Sequence, residues 1–350
     1  MKSIALLLTC FLCASAPVSF AASDITGAGS TAAAPLYIKW KAAYTGKIGN
    51  KVEYQSVGSS AGIKKMKENS VDFAASDAPM SLEELKKINM LAFPTVISGV
   101  VPFVNLPGVR VGELRLSAEI LVGIYSGKIT KWNDALIEKE NPQLHLPNLT
   151  VVPLVRSDGS GTTFTFSDYL SRVSPEWKQK FGTNFTIAWP ANVVAAKGSS
   201  GMVDVLKKTP GSIGYTEYAY IIENSLNYVQ LKNHDGLYVK PNAASFRVAL
   251  ANSGWTKTGQ FEEMLTDKAG AGSWPITGST YIYVPRVTSQ PERTASVLQF
   301  FTWAFMNGDL IADSLDFIRL PDLVQARVVH EIGSVVDTHG NKLHVEIGLN

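Results

Sequence analysis

The chain has 350 residues, with 32 Lys and Arg against 30 Asp and Glu, a formal net charge of +2 and 45% hydrophobic residues. So near-neutral a balance excludes the diffuse basic surface that nucleic acid or an anionic membrane requires. After the first residues no run of about eighteen apolar positions occurs, which excludes a spanning helix, and the length predicts about two domains. The chain opens with Lys2, an apolar stretch from Ile4 to Ala14 and small residues ending in Ser19-Phe20-Ala21. These are the three parts of a secretory signal peptide. Cleavage is expected after Ala21, leaving 329 residues and removing both cysteines, Cys10 and Cys13, neither of which has a lipoprotein-like setting. A mature chain without cysteine has no disulfide, thiol nucleophile or thiolate metal ligand.

Three strand-to-helix junctions of one kind follow. TGAGSTAAAPLYIKW (Thr26 to Trp40) predicts a Gly-Ser-Thr turn feeding a helix with an apolar face of Leu36, Tyr37, Trp40 and Tyr44, Pro35 being tolerable in its first turn. YQSVGSSAGIKKM (Tyr54 to Met66) predicts a strand, a Gly-Ser-Ser turn and a helix for which Ser59 or Ser60 is a candidate N-cap. Further on, LVRSDGSGTTFTF (Leu154 to Phe166) carries a buried strand into a helix that begins near Thr162, its apolar face set by Phe166, Tyr169, Leu170 and Val173. Between the second and third junctions, SVDFAASDAPMSLEEL predicts a short strand, then Asp77, then a capping box from Ser81 to Glu84. Strand-like runs alternate with amphipathic ones to the end, including GMVDVLKK and SIGYTEYAY. This predicts an α/β architecture. Without a Pro/Gly-rich linker, the chain is expected to cross between two lobes inside ordered strands, at Pro94 to Gly108 and Gly278 to Arg286.

Each junction by itself reads equally as an ordinary capped turn, because Ser, Thr and Gly are preferred there. Together they supply hydroxyls and bare helix-start amides, and Arg156 adds a planar fork that matches a tetrahedral oxyanion. Arg156 stands at the carboxyl end of a buried strand, where α/β sheets place their ligands, and Asp158 is placed to orient it. Asp77 lies four residues ahead of its cap and is not needed for capping. Taken alone it reads as an Asx-turn; beside the three junctions it reads as one more member of their set.

TGAGST, VGSSAGIKK, VDFAASDAPMS, FPTVISGVV, GKITKWND, VRSDGSGTT, PGSIGYTEYAY and LQFFTWAF together resemble, in order, the periplasmic phosphate-binding protein (PstS) family of the high-affinity phosphate ABC transporter. The resemblance implies the type II periplasmic binding protein fold, two α/β lobes joined by two crossing strands and closing over one phosphate. It implies lobe I at residues 22–96 plus 280–350 and lobe II at 97–279, after a signal peptide at 1–21. Carried over residue by residue, the phosphate ligands are Thr31 and the amide of Ala32, Ser59, Asp77, Arg156, Ser160, Gly161 and Thr162, with Asp158 as the partner of Arg156. Ala32-Ala33 stands where the family usually has Phe-Pro, so a bulky apolar wall is missing. A periplasmic monomer is implied, with inorganic phosphate and the permease subunits of an ABC transporter as partners, no nucleic acid, no cofactor and no metal. The rival readings are a serine hydrolase using the Gly-x-Ser-x-Gly pattern around Ser60, a phosphatase, and a receptor for another oxyanion. The five histidines, His145, His234, His330, His339 and His344, are scattered and stand in no recognisable catalytic or metal-binding setting.

Overall fold

The computed structural model describes residues 23–190 and 192–345. The signal peptide reading, with Cys10 and Cys13, therefore lies outside the described residues. The central sheet is built from β1 (Ile25–Gly29), β2 (Val52–Ser56), β3 (Phe73–Ser76), β4 (Met90–Asn105), β5 (Val152–Arg156), β6 (Val194–Ala196), β7 (Ser212–Glu217), β8 (Asn227–Tyr228) and β9 (Thr277–Pro285). Its order is β2-β1-β3-β9-β4-β7-β5-β6, with β8 also on β4. The two ends are parallel, β2-β1-β3 and β7-β5-β6, and the centre is antiparallel, with β9 and β4 joined by nine residue pairs.

β4 holds the two halves together. Met90 to Gly99 lie in register with β9, and Val100 to Asn105 with β7. A strand covered on both faces reads as a near-continuous apolar run, and every residue of β4 except Ser98 and Asn105 is buried. Pro94 cannot donate to a ladder, and here the register shifts: Thr280 faces Val96 and Tyr281 faces Pro94, leaving Thr95 as the extra residue of a bulge. Thr95 is not idle, since its hydroxyl bonds the Thr280 carbonyl at 3.1 Å and the Tyr37 hydroxyl at 2.6 Å.

Helices pack against the sheet. Those that matter for the site are α1 (Ala34–Ile48), α2 (Ser59–Lys67), α3 (Leu82–Lys87), α4 (Gly161–Val173), α5 (Gly198–Lys208) and α6 (Tyr218–Glu223). α1 buries Leu36, Tyr37, Trp40 and Tyr44 and has Pro35 in its first turn, and α4 buries Phe166, Tyr169 and Leu170, as the apolar spacing requires. The Ser81–Glu84 capping box forms at the start of α3. Two readings differ. Neither Ser59 nor Ser60 caps α2: its N-cap is Gly58 at φ 94, a region that favours glycine, and no side chain caps it. The run SIGYTEYAY is not all strand either, because β7 ends at Glu217 and Tyr218 opens α6.

Candidate functional site

Every parallel strand of the sheet delivers its carboxyl end toward one cleft, and the loops that leave these ends carry the site. β1 supplies Ser30, Thr31 and Ala32, β2 supplies Ser59, β3 supplies Asp77, and β5 supplies Arg156, Asp158, Ser160, Gly161 and Thr162. These loops touch across the cleft. The Ser60 amide donates to the Gly159 carbonyl at 3.0 Å, the Gly161 amide to Ser59 Oγ at 3.2 Å, and the Ser199 amide to Thr31 Oγ1 at 3.3 Å. Tyr220 adds its hydroxyl to the Thr31 carbonyl at 2.9 Å.

Arg156 and Asp158 form the paired fork expected of them. Nε donates to Oδ1 at 2.8 Å and an Nη donates to Oδ2 at 2.5 Å, with the guanidinium side chain 1% exposed. Burial pushes the Asp158 carboxyl up, yet the guanidinium outweighs it and holds the group below its ordinary value. With one edge of Arg156 taken, Nη1 reaches Thr162 Oγ1 at 3.4 Å on the cleft side.

Asp77 is buried and receives two hydroxyls on one oxygen, Ser30 Oγ and Thr280 Oγ1, each 2.6 Å from Oδ1. Oδ2 faces Gly161, where an added Cβ would stand 2.6 Å from it and 2.5 Å from Ser59 Oγ, so a side chain there would force these two groups to shift. Burial, and next the like charge of Glu217, push the Asp77 carboxyl up to about 7 against the two hydroxyls and Arg156.

All the sequence-derived residues are gathered here, but four of their donors point to protein partners. The Ala32 amide donates to Ser30 Oγ at 3.0 Å, and the Gly161 amide to Ser59 as above. Thr31 Oγ1 pairs with Ser199 Oγ at 2.7 Å, and Thr162 Oγ1 donates to Glu217 at 2.5 Å. Ser160 Oγ caps α4 by accepting the Thr163 amide at 3.1 Å. Five residues escaped the sequence reading: Ser30, Ser199, Glu217, Tyr220 and Thr280. AAKGSSGMV at the start of α5 repeats the Gly-Ser signal of the other junctions and could have revealed Ser199. An acid closing the buried run of β7 is a signal for Glu217. Thr280 and Tyr220 carry none, because they arrive by tertiary placement. Among the described residues no histidine hydrogen-bonds Ser60, no three His, Cys, Asp or Glu side chains converge as metal ligands, and no helix is long and apolar enough to cross a membrane.

Loops from two parallel half-sheets meeting over a polar cleft, with two long strands shared between the halves, define a solute-binding protein of the periplasmic binding type. A family model described as PBP superfamily domain matches residues 14–307. A phosphate-binding protein PstS of Xylella fastidiosa (strain Temecula1) is 44% identical over 297 residues, 85% of this chain and 81% of the relative. One from Haemophilus influenzae is 42% identical over 300 residues, 86% and 90% of the two chains. The chain belongs to the PstS family of the PBP superfamily. Among solved structures, a high-affinity periplasmic phosphate-binding protein (PfluDING) bound with phosphate superposes with a TM-score of 0.70 at 22% identity, covering 93% of this chain and 96% of that one. An ABC-type phosphate transport receptor from Vibrio cholerae gives 0.57 at 18% identity, covering 85% and 100%. At these identities the likeness is one of fold, the type II periplasmic binding protein fold.

Proposed function

We propose that the chain is a periplasmic receptor that captures inorganic phosphate as a monomer and delivers it to the permease of an ABC transporter, without chemical change. The observation that carries this reading is that an acceptor, Asp77, and a cation, Arg156, are both buried among the hydroxyls of one cleft, in a chain 44% identical to a phosphate-binding protein. The proposed ligand set is Thr31, the amide of Ala32, Ser59, Asp77, Arg156, Ser160, Gly161 and Thr162, with Asp158 holding Arg156. On this reading residues 22–96 and 280–350 form one lobe and 97–279 the other, hinged where β4 passes from β9 to β7. Lobe closure removes water and strengthens each charge-assisted bond, and the ligand's preference for the closed form drives closure.

Isothermal titration of protein stripped of bound anion, with phosphate, arsenate and sulfate in turn, tests the reading. Phosphate and arsenate, both protonated tetrahedral oxyanions, are expected to bind and sulfate to be excluded. Absence of heat with phosphate, or sulfate binding as well as phosphate, overturns it. No observation favours the hydrolase: the Ser60 amide donates to the Gly159 carbonyl, and among the described residues no histidine hydrogen-bonds Ser60.

A further inference from the structure

Glu217 lies outside the proposed ligand set, yet it borders the same small cavity as Asp77. It closes β7 opposite Val100, where β4 changes partner from β9 to β7. It is 3% exposed. Although it is the N-cap residue of α6, its side chain makes no capping bond. Instead it accepts three hydroxyls: Thr162 Oγ1 on Oε1 at 2.5 Å, and Ser199 Oγ at 3.0 Å and Thr216 Oγ1 at 3.3 Å on Oε2.

A hydroxyl has one proton to give. While Thr162 gives its proton to Glu217, its oxygen can only accept, and it does so from Arg156 Nη1. Ser199 likewise gives its proton to Glu217, so in the 2.7 Å pair with Thr31 the proton comes from Thr31. Glu217 thus turns two hydroxyls of the ligand set away from the ligand, Thr162 directly and Thr31 through Ser199. Thr162, Asp77 and Glu217 also border one small cavity of about 20 Å³.

We propose that Glu217 is a positioning residue: it accepts the Thr162 hydroxyl and competes with a bound oxyanion for that proton, so that capture exchanges one acceptor for another. The consequence is a receptor that binds less tightly than its donors allow and reopens more readily, which suits a protein that must hand its ligand on. The proposal rests on the phosphate reading above.

A double-mutant cycle tests it, with phosphate Kd and release rate measured for wild type, Glu217→Gln, Thr162→Val and the double variant. The amide of Glu217→Gln donates to the Thr162 oxygen and frees the Thr162 proton. Phosphate is expected to bind about tenfold tighter and leave correspondingly more slowly, the size of one added bond to a charged acceptor. In the Thr162→Val background the same change is expected to have no effect. Equal tightening in both backgrounds would trace the gain to loss of negative charge alone and overturn the proposal. Weaker binding in Glu217→Gln with no coupling to Thr162 would show that Glu217 only braces the loops, and would overturn it too. Melting of the anion-free variants reports their folding, and Glu217→Met, similar in length, replaces Gln in the cycle if that variant does not fold. Wild type that binds no phosphate would remove both this inference and the function it rests on, whereas wild-type binding without the coupling removes this inference alone.

Discussion

Two hydroxyls, those of Ser30 and Thr280, donate to the same oxygen of Asp77 and leave the other turned to Gly161 and the cleft. On the proposed reading a ligand P–O–H meets that oxygen as a donor, while sulfate brings only lone pairs to a buried acceptor, a repulsion of several kcal/mol. Asp77→Asn keeps an acceptor for both hydroxyls and places an amide at the second position. Phosphate is therefore expected to bind the variant, and sulfate to compete more effectively than against wild type; unchanged competition in direct titrations would assign the exclusion elsewhere. The sign of the pH dependence follows from the carboxyl being pushed up to about 7, against about 4 in an unfolded chain. Its contribution to the stability of the anion-free protein is complete below about pH 4 and lost as pH rises through about 7. Urea denaturation at pH 5 and pH 8 should thus favour Asp77→Asn over wild type more strongly at pH 8; an equal difference at both would show that Asp77 is not raised. Arg156→Ala strands Asp158 in a nearly buried position. A loss of about 2 to 5 kcal/mol in phosphate binding is expected, and titration showing near-normal affinity would place Arg156 outside the site.

At the scale of elements, a strand end passing through a glycine turn into a helix start is the unit from which the cleft is built. The turns at β1, β2 and β5 were legible as helix starts because Gly, Ser and Thr are the preferred residues there, and as a site only because three of them recur together with Arg156. The α2 junction shows where such reading stops. Gly58 takes the N-cap position, and Ser59 Oγ instead accepts the amides of Asp77 and Gly161, residues 18 and 102 positions away. Local pattern identifies a hydroxyl at a helix start but not which backbone will use it. Gly161→Ala tests the packing of this point, since a methyl there collides with Ser59 Oγ and Asp77 Oδ2. The variant should fold, alanine being favourable in a first helical turn, yet lose at least about tenfold in phosphate affinity because the Ser59 and Asp77 loops cannot approach α4. Titration with unchanged affinity would show that the two sides of the cleft need not meet this closely. The bulge at Thr95 was hidden as well: Pro94 hints at an interrupted ladder, but the residue that bulges is set by the register of β9.

For the whole molecule, the bonds from Ser60 to Gly159, Gly161 to Ser59, Ser199 to Thr31 and Tyr220 to Thr31 describe a closed cleft. A ligand that binds this state and not the unfolded chain stabilises it by roughly 4 kcal/mol at a thousandfold excess over Kd. The melting temperature of anion-free protein should rise on adding phosphate and stay unchanged with equal sulfate; a melting curve that phosphate does not move would count against capture in the folded cleft. The sequence by itself determined the α/β alternation, the strand-to-helix junctions, the crossing strands and the pairing of Arg156 with Asp158, because each depends on residues near one another in the chain. Only the tertiary structure decided that Thr280 would bind Asp77 from 203 positions away and that Glu217 would take the proton of Thr162. Those contacts depend on sheet order and on the register of β4 against β9 and β7. Register is a property of two strands at once, fixed by the burial of both, so no single stretch of chain contains it.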